Sequence, residues 1–384
     1  MRVLIMLVAY GVGIVGAAAQ APVGIVSSVE SGWTSNASES EGGAADFYLR
    51  HSHDVSATGT MGPLSLRTGL MLEQQVFRQF TGENDLSVTG GVEAGLALGD
   101  GVALRLGYAL TQEWTGKMLD LGPLVLTITS PAREHEALAE LVVTGSGRAV
   151  TLGVDARWRQ PGLTEFAGLP LEPAIIEADV SQVTARVDGE WIMTPELAGL
   201  ARLHWLSAGV AEADQVDFGR EPAGVARLAG GLRLRQGVLT ADLHAGFDLV
   251  WPQDATDLLR RMPYLDARVE WAAHERLVLS ARLAAGAEIF KPIDDVASHK
   301  MDGDLGMRLA LSDRLAMSLG VGMSREQGLY DEGLFNERRS VRGGFSFALS
   351  PHLDAGLTAS HAEISEPGAH YPVSIIALML GGRV

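Results

Sequence analysis

The sequence offers few residues with which to do covalent chemistry. There is no cysteine among its 384 residues, which removes thiolate nucleophiles, disulfides and thiolate metal sites. It holds no Gly-x-Ser-x-Gly, no His-Glu-x-x-His and no glycine-rich phosphate loop leading into a helix. Two small constellations remain. Asp242 and His244 stand two apart, so a strand puts them on one face. An acid and an imidazole could share general-base work, but no nucleophile is defined beside them. His51 and His53, in Arg50-His51-Ser52-His53-Asp54, share a face with Leu49 and Val55. They could open a metal site or a subunit contact, but two ligands do not complete a metal site. A bulge that turns them inward is the plainer expectation. No catalytic residue, cofactor or metal is assigned, and no enzyme activity is expected.

The elements around these residues say more. Val225–Trp251 folds as a hairpin about Gln236-Gly237. That register sets Leu234 opposite Leu239, Leu232 opposite Ala241, Leu228 opposite Ala245 and Ala226 opposite Phe247. One face is then wholly apolar. The other carries Arg227, Arg233, Arg235, Thr240, Asp242, His244 and Asp248. The pattern recurs. Around Gly99-Asp100-Gly101, Leu96 faces Leu104, Ala94 faces Leu106 and Val92 faces Tyr108. Around Ser312-Asp313-Arg314, Leu309 faces Met317, Met307 faces Leu319 and Leu305 faces Val321. Around Ser350-Pro351-His352, Phe347 faces Ala355 and Phe345 faces Leu357. A slip of one residue would destroy each match.

Short turns alternate with longer acidic, glycine- and proline-rich loops near residues 37–43, 81–84, 117–133, 160–179, 209–224, 252–261, 291–299, 326–338 and 363–371. The fold expected is all-β: a transmembrane up-and-down antiparallel β-barrel over residues 22–384, of about eighteen strands, or sixteen if some hairpins are loop extensions. The 160–179 loop could fold inward as a constriction or lie outside as a flap. Aromatic residues collect where strands meet the long loops: Trp33, Phe80, Trp114, Trp158, Trp205, Trp251 and Phe290. This is the girdle expected at lipid headgroups. Lumen-facing candidates are Arg227, Arg233, Arg235, Asp242, His244, Asp248, Asp266, Arg268, Glu270, Arg282, Asp302, Asp304 and Arg308. Charge of both signs on the inside of so wide a barrel implies a wet channel.

The first residues, MRVLIMLVAYGVGIVGAAAQA, place one arginine before an apolar run and a small-residue A-x-A site. This predicts a cleaved signal peptide over residues 1–21. The net charge of −17 argues against nucleic-acid binding.

The barrel pattern, with GIVSSVESGWTSNASES, FYLRHSHDVSATG and LSLRTGLMLEQQVF, resembles bacterial outer-membrane β-barrels, in particular the porin-like families. The chain departs from many of them in closing on Leu380-Gly381-Gly382-Arg383-Val384 rather than an aromatic residue. The resemblance implies the cell outer membrane, with long loops extracellular and both termini periplasmic. It also implies contact with outer-membrane lipid and the barrel assembly machinery, and allows a homo-oligomer. The function expected is passive passage of small polar solutes or ions. Two others stay open: a barrel for export or assembly of surface polysaccharide or lipoprotein, and an outer-membrane hydrolase.

Overall fold

The computed structural model describes residues 23–120, 125–168, 170–253 and 258–384; the expected signal peptide lies outside the described residues. The first strands are β1 (Val23–Thr34), β2 (Asp46–Met61), β3 (Leu64–Phe77), β4 (Asp85–Gly99), β5 (Val102–Asp120), β6 (Val125–Gly145) and β7 (Arg148–Pro161). A short β8 (Glu165–Ala167) follows, then β9 (Val180–Ile192), β10 (Leu197–Val210), β11 (Ala223–Gln236), β12 (Leu239–Pro252) and β13 (Arg260–His274). The series ends with β14 (Leu277–Glu288), β15 (Ser298–Ala310), β16 (Leu315–Gly328), β17 (Phe335–Ser350), β18 (Leu353–Glu366) and β19 (Ala369–Arg383). A seven-residue helix, α1 (Glu212–Phe218), sits between β10 and β11.

All strands except β8 form one closed antiparallel barrel of eighteen. Closure is by β1 on β19, from Val26 opposite Arg383 to Thr34 opposite Ile375. Ile25 and Val384 exchange both backbone hydrogen bonds, at 3.0 and 2.9 Å. The first and last strands therefore meet at the short-turn rim, as an even strand number requires. With strands about 4.8 Å apart and tilted by roughly 40°, eighteen strands give a backbone diameter of about 35 Å.

Away from the turns, the registers expected around Gly99–Gly101, Ser312–Arg314 and Ser350–His352 are those found. The Val225–Trp251 hairpin is displaced by two. Its turn is Gly237-Val238, so Leu234 faces Ala241, Leu232 faces Leu243, Leu228 faces Phe247 and Ala226 faces Leu249. Gly237 adopts φ +54. That left-handed conformation belongs to the first central residue of a tight hairpin turn and favours Gly over Gln. A shift of two preserves side-chain parity, so both faces keep their residues.

Two expected loops are turns or strands. Glu366 pairs with Ala369, leaving only Pro367-Gly368 between β18 and β19. Gly368 at φ +79 following proline suits a type II turn. The 117–133 segment is mostly hairpin: β5 and β6 stay in register past Lys117 opposite Ile128, and β8 adds to its side at Thr127–Thr129. The paired part of the 160–179 loop is thus an external flap rather than a constriction.

Outward positions around the sheet are apolar and exposed, among them Leu203, Leu228, Leu305, Val321, Phe345, Leu357 and Leu378. Leaving such side chains in water forfeits about 1.5–3 kcal/mol each. A closed sheet with that outer face and a charged inner face is a transmembrane β-barrel. The buried cores lie towards the long-loop end. The largest joins Ala208, Ala223, Val225 and Val250 of the wall to Ile289, Val296, Ala297 and Leu329 of the loops.

Candidate functional site: the inner wall and its loop cap

Alternation puts every second side chain of each strand inside, and opposite charges there pair mostly across neighbouring strands. Arg105 meets Glu93 at 2.7 Å. Arg157 meets Glu134 at 2.7 Å and Glu136 at 3.0 Å. Arg186 reaches Glu140 at 2.7 Å, Arg202 reaches Asp188 at 3.2 Å, and Arg233 spans Glu190 and Asp242 at 2.5 and 2.6 Å. Arg342 and Asp304 pair at 2.8 Å. Such cross-strand pairs each add a fraction of a kcal/mol when exposed. Collectively they fix the direction of the long side chains.

All thirteen lumen-facing candidates have inward parity: Arg227, Arg233, Arg235, Asp242, His244, Asp248, Asp266, Arg268, Glu270, Arg282, Asp302, Asp304 and Arg308. They do not all meet a lumen. Asp248 is fully buried and His244 nearly so. The Asp248 carboxylate takes Arg227 at 2.8 and 2.9 Å and the Ala287 amide at 2.8 Å. Arg227 also stacks over the Tyr264 ring at 4.1 Å. Asp248 is therefore an anchor for β11, β12 and β14 rather than a pore-lining charge. Asp242 is held by Arg233, so the acid–imidazole pair with His244 is not assembled for base catalysis.

His51 and His53 do not turn inward. The β1–β2 register runs without a bulge, with Val29 opposite His51 and Ser27 opposite His53. Both rings lie outside, parallel and 6.4 Å apart, and His53 Nδ1 is 3.0 Å from Ser27 Oγ. Among the described residues no group of three or more His, Asp or Glu is arranged to hold a metal.

Of the girdle residues, Trp33, Trp114, Trp158, Trp205 and Trp251 have outward parity. Trp205 and Trp251 pack at 5.0 Å, and Trp158 stacks on His135 at 4.7 Å. Phe80 and Phe290 depart from the expectation. The buried Asp46 carboxylate accepts the Gln79 and Phe80 amides at 2.7 and 2.9 Å. That draws Phe80 against the inward Tyr48 and Phe77. Phe290 is buried, and its ring lies 4.7 Å beneath the Arg157 guanidinium. Both follow β-strand ends without being in a strand, so alternation does not govern them.

Phe290 belongs to a feature the sequence pattern missed. The β14–β15 loop, residues 289–297, leaves the wall and crosses towards the far side of the barrel. Lys291 Nζ meets Glu134 of β6 at 2.8 Å. On the way the loop packs over β10, β11 and β12 through Ile289, Val296 and Ala297. Buried Arg220 donates to the carbonyls of Asp294, at 3.0 Å, and Ile289. Burial pulls the pKa of that guanidinium down. The Asp294 carboxylate gathers the amides of Val296, Ala297 and Tyr330 at 2.9, 2.6 and 2.9 Å. Burial pushes the Tyr330 phenol up to about 12, and its hydroxyl donates to the Leu258 carbonyl at 3.0 Å. Four loops are thereby tied into one cap over the β10–β13 side.

Elsewhere the inner wall carries recesses as well as small buried clusters such as Ile364, Tyr371 and Val373. A recess of about 470 Å³ lies on β2–β7, with small residues such as Ser56, Gly69, Gly91 and Ala109 as its floor and Arg67, Glu93, Glu136 and Arg157 at its edges. A second, of about 410 Å³, lies under the β1–β2 loop and is edged by Glu30, Glu39, Arg50, Glu83 and Asp85. On β16–β18 the inward residues include Ser318, Gly320, Gly322, Ser340, Gly356, Thr358 and Ser360.

The fold and wall define a wide transmembrane barrel with a charged interior, partly capped at one end. No protein-family model and no curated protein matches this sequence. Solved structures share the fold. The ferric enterobactin receptor PfeA in complex with BCV-L6 superposes with a TM-score of 0.53 at 9% identity, over 95% of this chain and 82% of that chain; that receptor is from Pseudomonas aeruginosa. The copper transporter OprC gives 0.53 at 10% identity, over 95% of this chain and 83% of that one. The FrpB iron transporter from Neisseria meningitidis, F3-3 variant, gives 0.51 at 10% identity, over 92% of this chain and 63% of that one. At these identities the likeness is one of fold: that of outer-membrane β-barrels.

Proposed function

We propose that this protein is an outer-membrane channel through which small polar solutes or ions pass passively. The observation that carries this reading is the closed eighteen-strand barrel with interspersed charge on its inner wall, across which a loop reaches to tie Lys291 to Glu134. Barrels of sixteen to eighteen strands leave an aqueous path that side chains alone do not fill. The fold's likeness to iron and copper transporters supports transport across an outer membrane in general. Charge along the path would set ion preference. In a planar bilayer, purified protein raises the conductance in discrete steps. A correctly folded barrel that stays silent over repeated insertions overturns the reading.

A further inference from the structure

We propose that the outer face of β1–β3 is where a second copy of this chain docks within the membrane, independent of what crosses the lumen. Ser27, His51, His53 and Gln74 face outward there on three neighbouring strands. His53 lies opposite Ser27, and His51 lies opposite Gln74. Their depth is unusual for their chemistry. Phe47 stands opposite Trp33 of the girdle, and His53 follows Phe47 by six residues on the same strand. At about 3.3 Å per residue and a tilt of roughly 40°, that is about 15 Å below the rim. The apolar band of such a barrel is about 25 Å tall, so the patch sits near its middle. On β9–β12 the contrast is complete. The outward positions of Val183–Trp191, Ala201–Trp205, Ala226–Leu234 and Leu239–Leu249 are Val, Leu, Ala, Gly, Phe or Trp.

Acyl chains cannot satisfy the polar patch. His53 Nδ1 lies 3.0 Å from Ser27 Oγ. Among the described residues, the His51 imidazole and the Gln74 amide bond no protein group. Polar groups held in hydrocarbon without a partner are costly, and they mark a functional contact. Their chemistry selects a copy of the same patch. A neutral imidazole donates through one nitrogen and accepts through the other, and a carboxamide does both. No Asp, Glu, Lys or Arg faces outward on β1–β4, so like meets like without repulsion and a charged partner finds no counter-charge. A second copy is also held at the same depth and orientation by its own girdle. A two-fold axis along the membrane normal, passing between β2 and β3, sets His51 of each copy against the partner's Gln74 in an isologous contact. Short Ser27 and Ser31 lower the wall beside the histidines and let the barrels approach. The His51 and His53 rings are parallel and 6.4 Å apart. They do not converge on one point, so hydrogen bonds rather than a shared metal join the copies.

The chain has no cysteine, so one placed on the patch reports the contact. Leu72 is outward on β3, opposite His53, and lies beside the axis. Leu72→Cys in phospholipid bilayers, treated with a short bismaleimide, is expected to give a covalent dimer. Leu243→Cys, exposed on β12 across the barrel, is expected to stay monomeric. Native mass spectrometry of wild-type protein released from the same bilayers should show the dimer without crosslinker, and EDTA should leave it intact. His51→Leu combined with His53→Leu suits lipid, and its folding is checked by heat-modifiable electrophoretic mobility. It should weaken the dimer about tenfold, the scale of buried polar contacts between membrane segments. Four outcomes each overturn the proposal: a monomeric wild type, equal crosslinking at positions 72 and 243, an undiminished dimer in the double histidine variant, or a dimer that EDTA dissolves.

Discussion

The inner wall has two contrasting regions. On β10–β14 it is dry and crowded: Val225, Val250 and Asp248 are fully buried beneath the cap, and Arg227 is locked between Asp248 and Tyr264. On β16–β18 the middle of the wall is lined largely by serine, threonine and glycine beside Arg342, and Thr358 is exposed. Both regions follow the same period-two rule. They differ in what lies over them, and that teaches that inward parity does not mean lumen-lining. The crowded region resists deformation, because a close-packed interior passes strain on. The sparse region keeps exposed inner wall, as at Thr358.

Breaking the dry side should cost most. Asp248→Asn leaves Arg227 without its buried partner and weakens the hold on the Ala287 amide. Loss of one member of a buried pair costs about 3–5 kcal/mol, read as a lower urea midpoint for the folded barrel. The same change at an exposed wall pair, Glu93→Gln beside Arg105, should cost less than about 1 kcal/mol. Equal losses at the two positions would remove the distinction between the regions.

Next come changes in the aqueous path. Glu134→Gln removes the negative charge shared by Lys291 and Arg157 where the loop reaches β6. Reversal potentials across a salt gradient should then move towards anion preference, by a few-fold in permeability ratio. Thr358→Trp should lower single-channel conductance by some tens of per cent and leave the unfolding free energy within about 0.5 kcal/mol, as expected of a surface change. A conductance unaffected by either variant would place the path elsewhere.

Smaller effects probe the rims. Trp205→Ala removes an aromatic pair with Trp251, worth about 0.5–1.5 kcal/mol beyond its area, measured by unfolding from lipid. The smallest effect concerns Glu83, in the loop between β3 and β4. Burial raises its carboxyl above the usual glutamate range, although the Met118 amide bonds it at 2.6 Å. A raised folded pKa contributes stability that is fully present below the ordinary glutamate pKa and is lost as pH rises through the raised value. Amide exchange at Met118 should therefore quicken as pH climbs through that window, after correction for its intrinsic pH dependence. Glu83→Gln should abolish the step.

Much of this was legible in the residues. The three hairpins around Gly99–Gly101, Ser312–Arg314 and Ser350–His352 declare their partners because one face of each must be apolar, and a wrong register exposes the mismatch at every second residue. In the Val225–Trp251 hairpin the turn lies one residue further on than alternation suggests and the pairing shifts by two, to which parity is insensitive; only the backbone geometry of Gly237 fixes it. Trp205 and Trp251 could be placed because they lie inside strands. Phe80 and Phe290 could not, since their direction is set by Asp46 and by Arg157 through contacts far along the chain. The Lys291–Glu134 tie joins residues 157 positions apart, and no local pattern announces it.

The sequence by itself determined a transmembrane barrel of about eighteen strands with charge inside and apolar side chains outside. Period-two alternation and turn chemistry are local, and lipid on one side with water on the other enforces them strand by strand. The tertiary structure alone decided which inward charges meet solvent, because that depends on a loop folding back over the wall and burying Asp248 beneath it. It also decided that His51 and His53 stay outside beside Gln74, because the pairing of β2 with β1 and β3 runs there without a bulge.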